Sequence, residues 1–292
     1  MSVNHLNYAN RLYLGNNVQI LHEHIPDQSV DMIYLDPPFL TGKSFNLLNG
    51  NQRPAYDDKW TWNTLASNQF QKLVSDTNAK ISNCLESFRN LAGESAVLTY
   101  MTVLTECLVE CKRVLRTTGS LYLHCDFRVS AYVRLMLDAI FGADNFLNQI
   151  AWCYGLGGSS QRYYPRKHDD ILFYAVNAGE HFFNPPMVPA SSQRMKGQLK
   201  KAPDYWQIPT VNNMALERNG YPTQKPKALL ERIIAASSKE GDTVLDPYCG
   251  SGTTLVVAAE MERQWIGIDS SKVAIKIAEE RLLDVIGEKV RQ

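Results

Sequence analysis

The sequence predicts an α/β fold built on a doubly wound, mainly parallel sheet. Three observations predict it. Apolar runs of strand length alternate with segments of helical spacing along 292 residues. The run Val30–Leu35 ends in Asp36-Pro37-Pro38-Phe39, where two prolines force the chain out of a sheet. The run Thr243–Asp246 enters a glycine-rich turn, Pro247-Tyr248-Cys249-Gly250-Ser251-Gly252, and then a helical segment.

In chain order, Arg11–Leu14 followed by Gly15-Asn16 reads as a strand ending in a turn, and 17–25 as a short helix. Val30–Leu35 has the length and apolarity of a buried parallel strand. Residues 40–95 are polar and mixed, with Gly42, Gly50 and Pro54 punctuating a loop that carries Tyr56, Trp60 and Trp62; part of 64–90 is helical. Over 97–116, Leu104, Leu108, Cys111 and Leu115 fall near helical spacing, basic residues close the last turn, and Gly119 reads as the stop. Strands are expected at 120–125, 149–154, 170–175 and 265–269, and helices at 128–141, 226–236, 253–262 and 272–286. A glycine-rich loop fills 155–160. Residues 176–220 contain five of the thirteen prolines and little periodicity, so they read as an irregular insertion.

Composition is that of an ordinary globular chain, with 45% hydrophobic and 21% charged residues and zero net charge. A nucleic-acid partner therefore requires locally grouped basic residues. Cys84, Cys107, Cys111, Cys125, Cys153 and Cys249 form no CxxC pair and read as reduced thiols. The first fifteen residues lack an apolar leader segment, and no apolar run is long enough to span a membrane. A cytoplasmic protein without a membrane is expected. No metal-ligand pattern is visible, so no metal is expected.

The glycine-rich turn has the strand–turn–helix context that makes such a motif meaningful. Gly250 and Gly252 let backbone approach a ligand, and Thr253 and Thr254 stand where they would cap the next helix. Asp269 ends the following strand, at the distance suited to gripping ribose hydroxyls. A carboxylate at Asp246 would repel a pyrophosphate but suit a cation, such as the sulfonium or amino group of S-adenosylmethionine. Gly42-Lys43-Ser44 is not a P-loop, because Pro37 stands where that motif needs glycine.

The tetrapeptide at 36–39 suits an exocyclic amino group on adenine or cytosine. Such a nitrogen is conjugated with its ring and nucleophilically poor. Asp36 can accept one N–H, the Pro37 carbonyl the other, and Pro38 helps fix the direction of that carbonyl. Phe39 offers a stacking face. Alignment of nitrogen, methyl carbon and sulfur supplies further rate, and no covalent nucleophile is needed.

At these residues the sequence resembles the DNA amino-methyltransferases, and its motif order resembles their β class. Asp36–Phe39 resembles catalytic motif IV; the 246–254 turn resembles motif I, with Tyr248 and Cys249 departing from the commoner residues; 267–270 resembles motif II. Tyr221-Pro222-Thr223-Gln224-Lys225-Pro226 closely matches motif X, and 167–174 is similar to motif VIII. The resemblance implies a Rossmann-like, circularly permuted, seven-stranded methyltransferase sheet. Its parts would be a catalytic half with the N-terminal strand over 1–175, a target-recognition insertion over 176–220 and a cofactor half over 221–292. It implies S-adenosylmethionine bound by Asn16, Asp36, Thr223, Lys225, Asp246, Pro247, Gly250, Ser251, Gly252, Thr253, Asp269 and Ser270. It also implies site-specific methylation of adenine N6 in a flipped base of double-stranded DNA, with cytosine N4 as the alternative and RNA or protein amino groups less favoured. A cognate restriction endonuclease and a homodimer are further partners that it allows, in a bacterial or phage setting.

One inference is independent of that resemblance. Only 23 residues follow Asp269, and they read as helix and tail. The strand missing from that half of the sheet can be Arg11–Leu14, which would set Asn16 either beside the adenosyl site or in a plain surface turn. A flipped base also requires a basic rim. Residues 191–227 carry Arg194, Lys196, Lys200, Lys201, Arg218, Lys225 and Lys227 against Asp204 and Glu217. Arg162, Arg166 and Lys167 flank the glycine loop, with Tyr163 and Tyr164 interleaved. Phosphate contact is the preferred reading of both clusters, and a solvated basic face the other. Trp60 and Trp62 read either as covers for the base or as core, and His168 as structural or base-contacting.

Overall fold

Six consecutive residues of Val30–Leu35 are almost entirely buried, which requires cover on both faces of the strand. The computed structural model supplies it. Residues 9–48, 54–155, 159–190, 192–212 and 214–291 are described, the side chains of 288–291 excepted. The first eight residues, Gly50 and 156–158 of the glycine loop lie outside the described residues, and with them part of the leader expectation.

The elements are β1 (Arg11–Leu14), α1 (Asn17–His24), β2 (Val30–Leu35), β3 (Ser44–Asn46), β4 (Pro54–Asp57), α2 (Thr64–Asp76), α3 (Ala79–Ala92), α4 (Ala96–Val114), β5 (Leu115–Cys125), α5 (Ser130–Phe141), β6 (Phe146–Cys153), β7 (His168–Ala175), β8 (Met187–Pro189), β9 (Leu199–Lys201), β10 (Tyr205–Gln207), α6 (Lys227–Ser237), β11 (Thr243–Asp246), α7 (Thr253–Glu260), β12 (Gln264–Asp269) and α8 (Lys272–Arg291). The main sheet runs β1-β12-β11-β2-β5-β7-β6-β10. Its pairs are parallel except at β7, which runs antiparallel to both β5 and β6.

Side chains alternate across the sheet as the strand period demands. Ile33 and Leu35 enter one core with Leu85, Leu104 and Leu137 of α3, α4 and α5. Met32 and Tyr34 enter the other with Ile234 and Val257 of α6 and α7. Each such buried leucine or isoleucine contributes roughly 1.5–3 kcal/mol. Asn63, Asn78 and Ser95 start α2, α3 and α4 by accepting backbone N–H groups.

The permutation is present. β1 pairs in parallel with β12, Leu14 opposite Asp269, and the Gly15 amide donates to the Asp269 carbonyl at 3.0 Å. β11 pairs with β2, Leu245 opposite Ile33. The glycine-rich turn and Asp36 thus leave neighbouring strands at the same edge.

Three local expectations change. Gly119 does not stop a helix: α4 ends at Val114 and passes directly into β5. A Cβ at Gly119 would lie 2.9 Å from the Arg116 carbonyl, beside a register shift in the β2–β5 pairing, so the glycine serves a strand irregularity. The sheet has eight strands rather than seven. The eighth, β10, comes from the 176–220 segment, where Trp206 is buried and the Asp204 carbonyl accepts the Ala151 amide at 2.8 Å. That segment is also less irregular than its prolines suggest, since β8 and β9 form an antiparallel pair. Among the described residues no helix is long and apolar enough to cross a membrane.

Candidate active site

Pro37 and Pro38 lack the N–H that would extend β2, so Asp36 sits at the sheet edge, where its side chain is 17% exposed. Lys225 Nζ donates to Asp36 Oδ2 and lies 5.4 Å from the Phe39 ring centre. Asp36 Oδ1 is buried and has no hydrogen-bond partner. Beyond Phe39 the chain bends sharply, with Leu40 at φ 58°, a conformation costly for a branched side chain. Asp58 holds the bend. Its carboxylate is buried and accepts the Leu40 and Thr41 amides at 3.0 and 2.7 Å, the Thr41 hydroxyl at 2.6 Å and Trp60 Nε1 at 2.8 Å.

On the neighbouring strand, Asp246 Oδ1 accepts the Tyr248 amide at 3.0 Å and Oδ2 accepts the Thr254 hydroxyl at 2.6 Å. Burial pushes its carboxyl up to about 7, with Asp36 and Asp269 adding to the rise. Thr253 and Thr254 therefore do not cap α7. Gly252 takes the cap position in the left-handed conformation with no side-chain bond, Thr254 is bound to Asp246, and Thr253 Oγ1 accepts from Arg281 at 3.1 Å. Asp269 accepts the Gly250 amide at 2.9 Å on one oxygen and the Ser271 amide at 2.8 Å on the other. The Ser270 amide also acts on this carboxylate, whose two oxygens still have acceptor capacity for a hydroxyl.

A cavity of about 600 Å³ opens over these strand ends. Asp36, Pro37, Pro38 and Phe39 line it from β2. Asp246, Pro247, Gly250, Ser251 and Thr253 line it from the turn after β11, and Asp269 and Ser270 from β12. Asn16, Thr223 and Lys225 complete the expected set. Asn16 also accepts the Gln19 amide as the cap of α1. Gly252 does not line the cavity. A Cβ there would lie 2.7 Å from Ala278 Cβ, so its role is to let α7 pack on α8.

Aromatic residues outside the expected cofactor set also form the walls. Tyr56 stacks on Phe45 at 4.7 Å and on Tyr221 at 6.4 Å between ring centres, and a Cβ at Gly250 would come within 3.3 Å of Tyr221. Arg281, at the back of the turn, donates to the Ser251 carbonyl at 2.6 Å. Trp60 lines the cavity, whereas Trp62 packs on Phe70 in the core.

The basic clusters are smaller than their sequence count. Lys225 is paired with Asp36 and Lys227 with Glu260. Arg162, Arg166, Arg194, Lys196 and Lys201 are exposed, and Lys167 and Lys200 partly buried. Arg166 lies 3.8 Å from the centre of the exposed Phe127 ring and 4.9 Å from that of Tyr163. His168 is an exposed residue at the start of β7. A different histidine, His124, is fully buried beside Asp36.

The cavity is acidic: among the described lining residues, Asp36, Asp57, Asp58, Asp246 and Asp269 face a single ammonium, Lys225. That balance suits a ligand that carries positive charge together with one carboxylate, as a sulfonium-based group donor does. S-Adenosylmethionine fits these residues on both counts. The family model described as DNA methylase, of the N6/N4 type, matches residues 30–280, and the chain belongs to that family. Among curated relatives, the type II methyltransferase M.HpaI of Haemophilus parainfluenzae is 30% identical over 292 residues, covering 97% of this chain and 79% of the relative. The DNA adenine methyltransferase YhdJ of Escherichia coli (strain K12) is 29% identical over 274 residues, covering 88% and 78%. The solved PvuII DNA methyltransferase (cytosine-N4-specific) shares the fold, with a TM-score of 0.60 at 15% identity over 94% of this chain and 86% of that chain. The activity is transfer of a methyl group from S-adenosylmethionine to an exocyclic amino group of a flipped DNA base.

Proposed function

We propose that the protein methylates adenine N6 at a specific sequence in double-stranded DNA. The observation that carries the amino-group part of this reading is Asp36 Oδ1, a buried acceptor with no partner at the mouth of the cavity. The adenine amino group would donate one N–H to that oxygen and the other to the Pro37 carbonyl, turning its lone pair away from the ring. Phe39 would stack on the base, an interaction worth ~1–3 kcal/mol. Lys225 rests on both groups and must move aside. When bound, S-adenosylmethionine supplies an electrophilic methyl group on a cationic sulfur. Asp269 and Ser270 would hold the ribose, Asp246 and Pro247 the cationic end, and Lys225 the carboxylate. Gly250, Ser251 and Thr253 would form the floor, with Asn16 and Thr223 at the walls and Asp36 bordering both ligands.

The aspartate at the first position favours adenine, since the cytosine-N4 members of the family that this chain resembles often have serine there. The name of the YhdJ relative points the same way. Cytosine N4 is the second reading, favoured by the PvuII likeness and by the same amino-group chemistry. In this account 1–175 is the catalytic half, 176–220 reads the target and 221–292 is the cofactor half. Arg162, Arg166, Lys167, Arg194, Lys196, Lys200 and Lys201 would contact DNA phosphates. A restriction endonuclease partner, a homodimer and a cytoplasmic location fit the same reading. The test is transfer from methyl-labelled S-adenosylmethionine to duplex DNA and to RNA in parallel. Label in DNA alone is expected, and label in RNA alone would overturn the proposal.

A further inference from the structure

His124, near the end of β5, is completely buried and lies between Asp36 and side chains of the neighbouring strands. Its Nδ1 lies 3.0 Å from the Tyr34 hydroxyl of β2 and 3.5 Å from Asp36 Oδ1. Its Nε2 lies 3.2 Å from Asp169 Oδ2 of β7. Its ring is 5.2 Å from that of Phe39 and 5.3 Å from that of Trp152 of β6. The other Asp169 oxygen accepts the Tyr154 hydroxyl at 3.3 Å.

These partners determine where the proton sits. Burial alone would raise the Asp169 carboxyl, but the hydrogen bond from His124, with help from the nearby Lys225 ammonium and the Tyr154 hydroxyl, holds the group below the usual carboxylate value. Asp169 is therefore ionised and only accepts, so the ring hydrogen belongs on Nε2. Burial holds the Tyr34 phenol well above its ordinary value, so Tyr34 keeps its proton and donates it to Nδ1. The lone pair at Nδ1 is thereby used, and no N–H points at Asp36. This accounts for the buried Asp36 Oδ1 that has no hydrogen-bond partner.

We propose that His124 is a positioning residue that absorbs the Tyr34 proton, so that Asp36 keeps Oδ1 free for the target amino group, while its ring supports Phe39. The proposal rests on the reading of Asp36 given above. Replacing His124 by phenylalanine preserves a ring against Phe39 and Trp152 but deprives the Tyr34 hydroxyl of its acceptor, and Asp36, whose Oδ1 lies 3.5 Å from the nitrogen that is lost and whose charge already acts on the Tyr34 phenol, is left to compete for that proton.

The test measures single-turnover methylation at saturating DNA, KM for DNA, cofactor affinity and thermal midpoint for four variants. His124→Phe should lose about tenfold or more in rate with cofactor affinity and KM for DNA within about twofold. Tyr34→Phe combined with His124→Phe should recover about threefold or more over His124→Phe alone, because no hydroxyl then competes for Asp36. A wild-type rate in His124→Phe, or a double variant slower than the single, overturns the proposal. If His124→Phe does not fold, Asp169→Asn takes its place. Its amide can donate to Nε2 and drive the ring hydrogen to Nδ1, facing Asp36; loss of rate at unchanged KM is expected and an unchanged rate overturns the idea. Asp36→Ala is the reference. Transfer surviving in it sinks the functional reading itself, whereas a dead Asp36→Ala beside an unaffected His124→Phe sinks only the role of His124.

Discussion

Lys225 and Asp36 form an ion pair across the mouth of the cavity, with the ammonium also resting over the Phe39 ring. The cation occupies both groups assigned to the target base, and it is the single ammonium among the described lining residues. A cofactor carboxylate gives it somewhere else to go. Lys225→Met should weaken cofactor binding by about tenfold, the loss of one charge-assisted bond. Asp36→Ala should change that affinity by no more than about twofold. Calorimetric titration with S-adenosylhomocysteine distinguishes the two.

Asp246 makes cofactor binding depend on pH. Burial raises its carboxyl from the ordinary 3.8 to about 7, so the folded protein holds a proton that the unfolded chain releases. Its contribution to stability consequently falls as pH rises through that interval. The ionised form is the one that attracts a cation, so affinity should rise with pH. Binding at pH 6 is expected to be about tenfold weaker than at pH 8. Asp246→Asn should flatten that difference in the same titration.

Asp58 carries no expected contact with either ligand, yet it fixes the bend after Phe39 through four accepted bonds. Asp58→Ala strands the Leu40 and Thr41 amides. It should cost about 2–4 kcal/mol of stability, as for the loss of a buried charged acceptor, and slow transfer because Phe39 is no longer held. Denaturant unfolding and single-turnover rates check both parts.

Gly252 and Asp269 should separate cleanly. Gly252→Ala meets Ala278 at 2.7 Å with φ at +77°, so it should destabilise the fold by about 2 kcal/mol or more. Asp269→Ala should weaken cofactor binding by about tenfold or more. Thermal unfolding with and without S-adenosylhomocysteine shows whether the added ligand still stabilises each variant.

The parts of the fold legible in the sequence are those written in local pattern. β2 with its two prolines, β11 with its glycines and the docking of β1 beside β12 follow from apolar runs, forced chain exits and a strand count. The remaining features depend on partners far away in sequence. His124 lies in an apolar strand and carries no role in the sequence, because nothing local says that Tyr34, Asp36 and Asp169 converge on it. Thr254 stands at a capping position, but the Asp246 carboxylate competes for its hydroxyl. Lys225 and Lys227 count toward a basic cluster until Asp36 and Glu260 pair with them. β10 is three residues long and carries no alternation strong enough to detect.

The central claim is that Asp36 presents adenine N6 for methylation. Nucleoside mass spectrometry on duplex DNA treated with the protein and S-adenosylmethionine tests it most directly. N6-methyl-2′-deoxyadenosine from the native chain and none from Asp36→Ala is the predicted result. N4-methyl-2′-deoxycytidine, or undiminished methylation by Asp36→Ala, would contradict it.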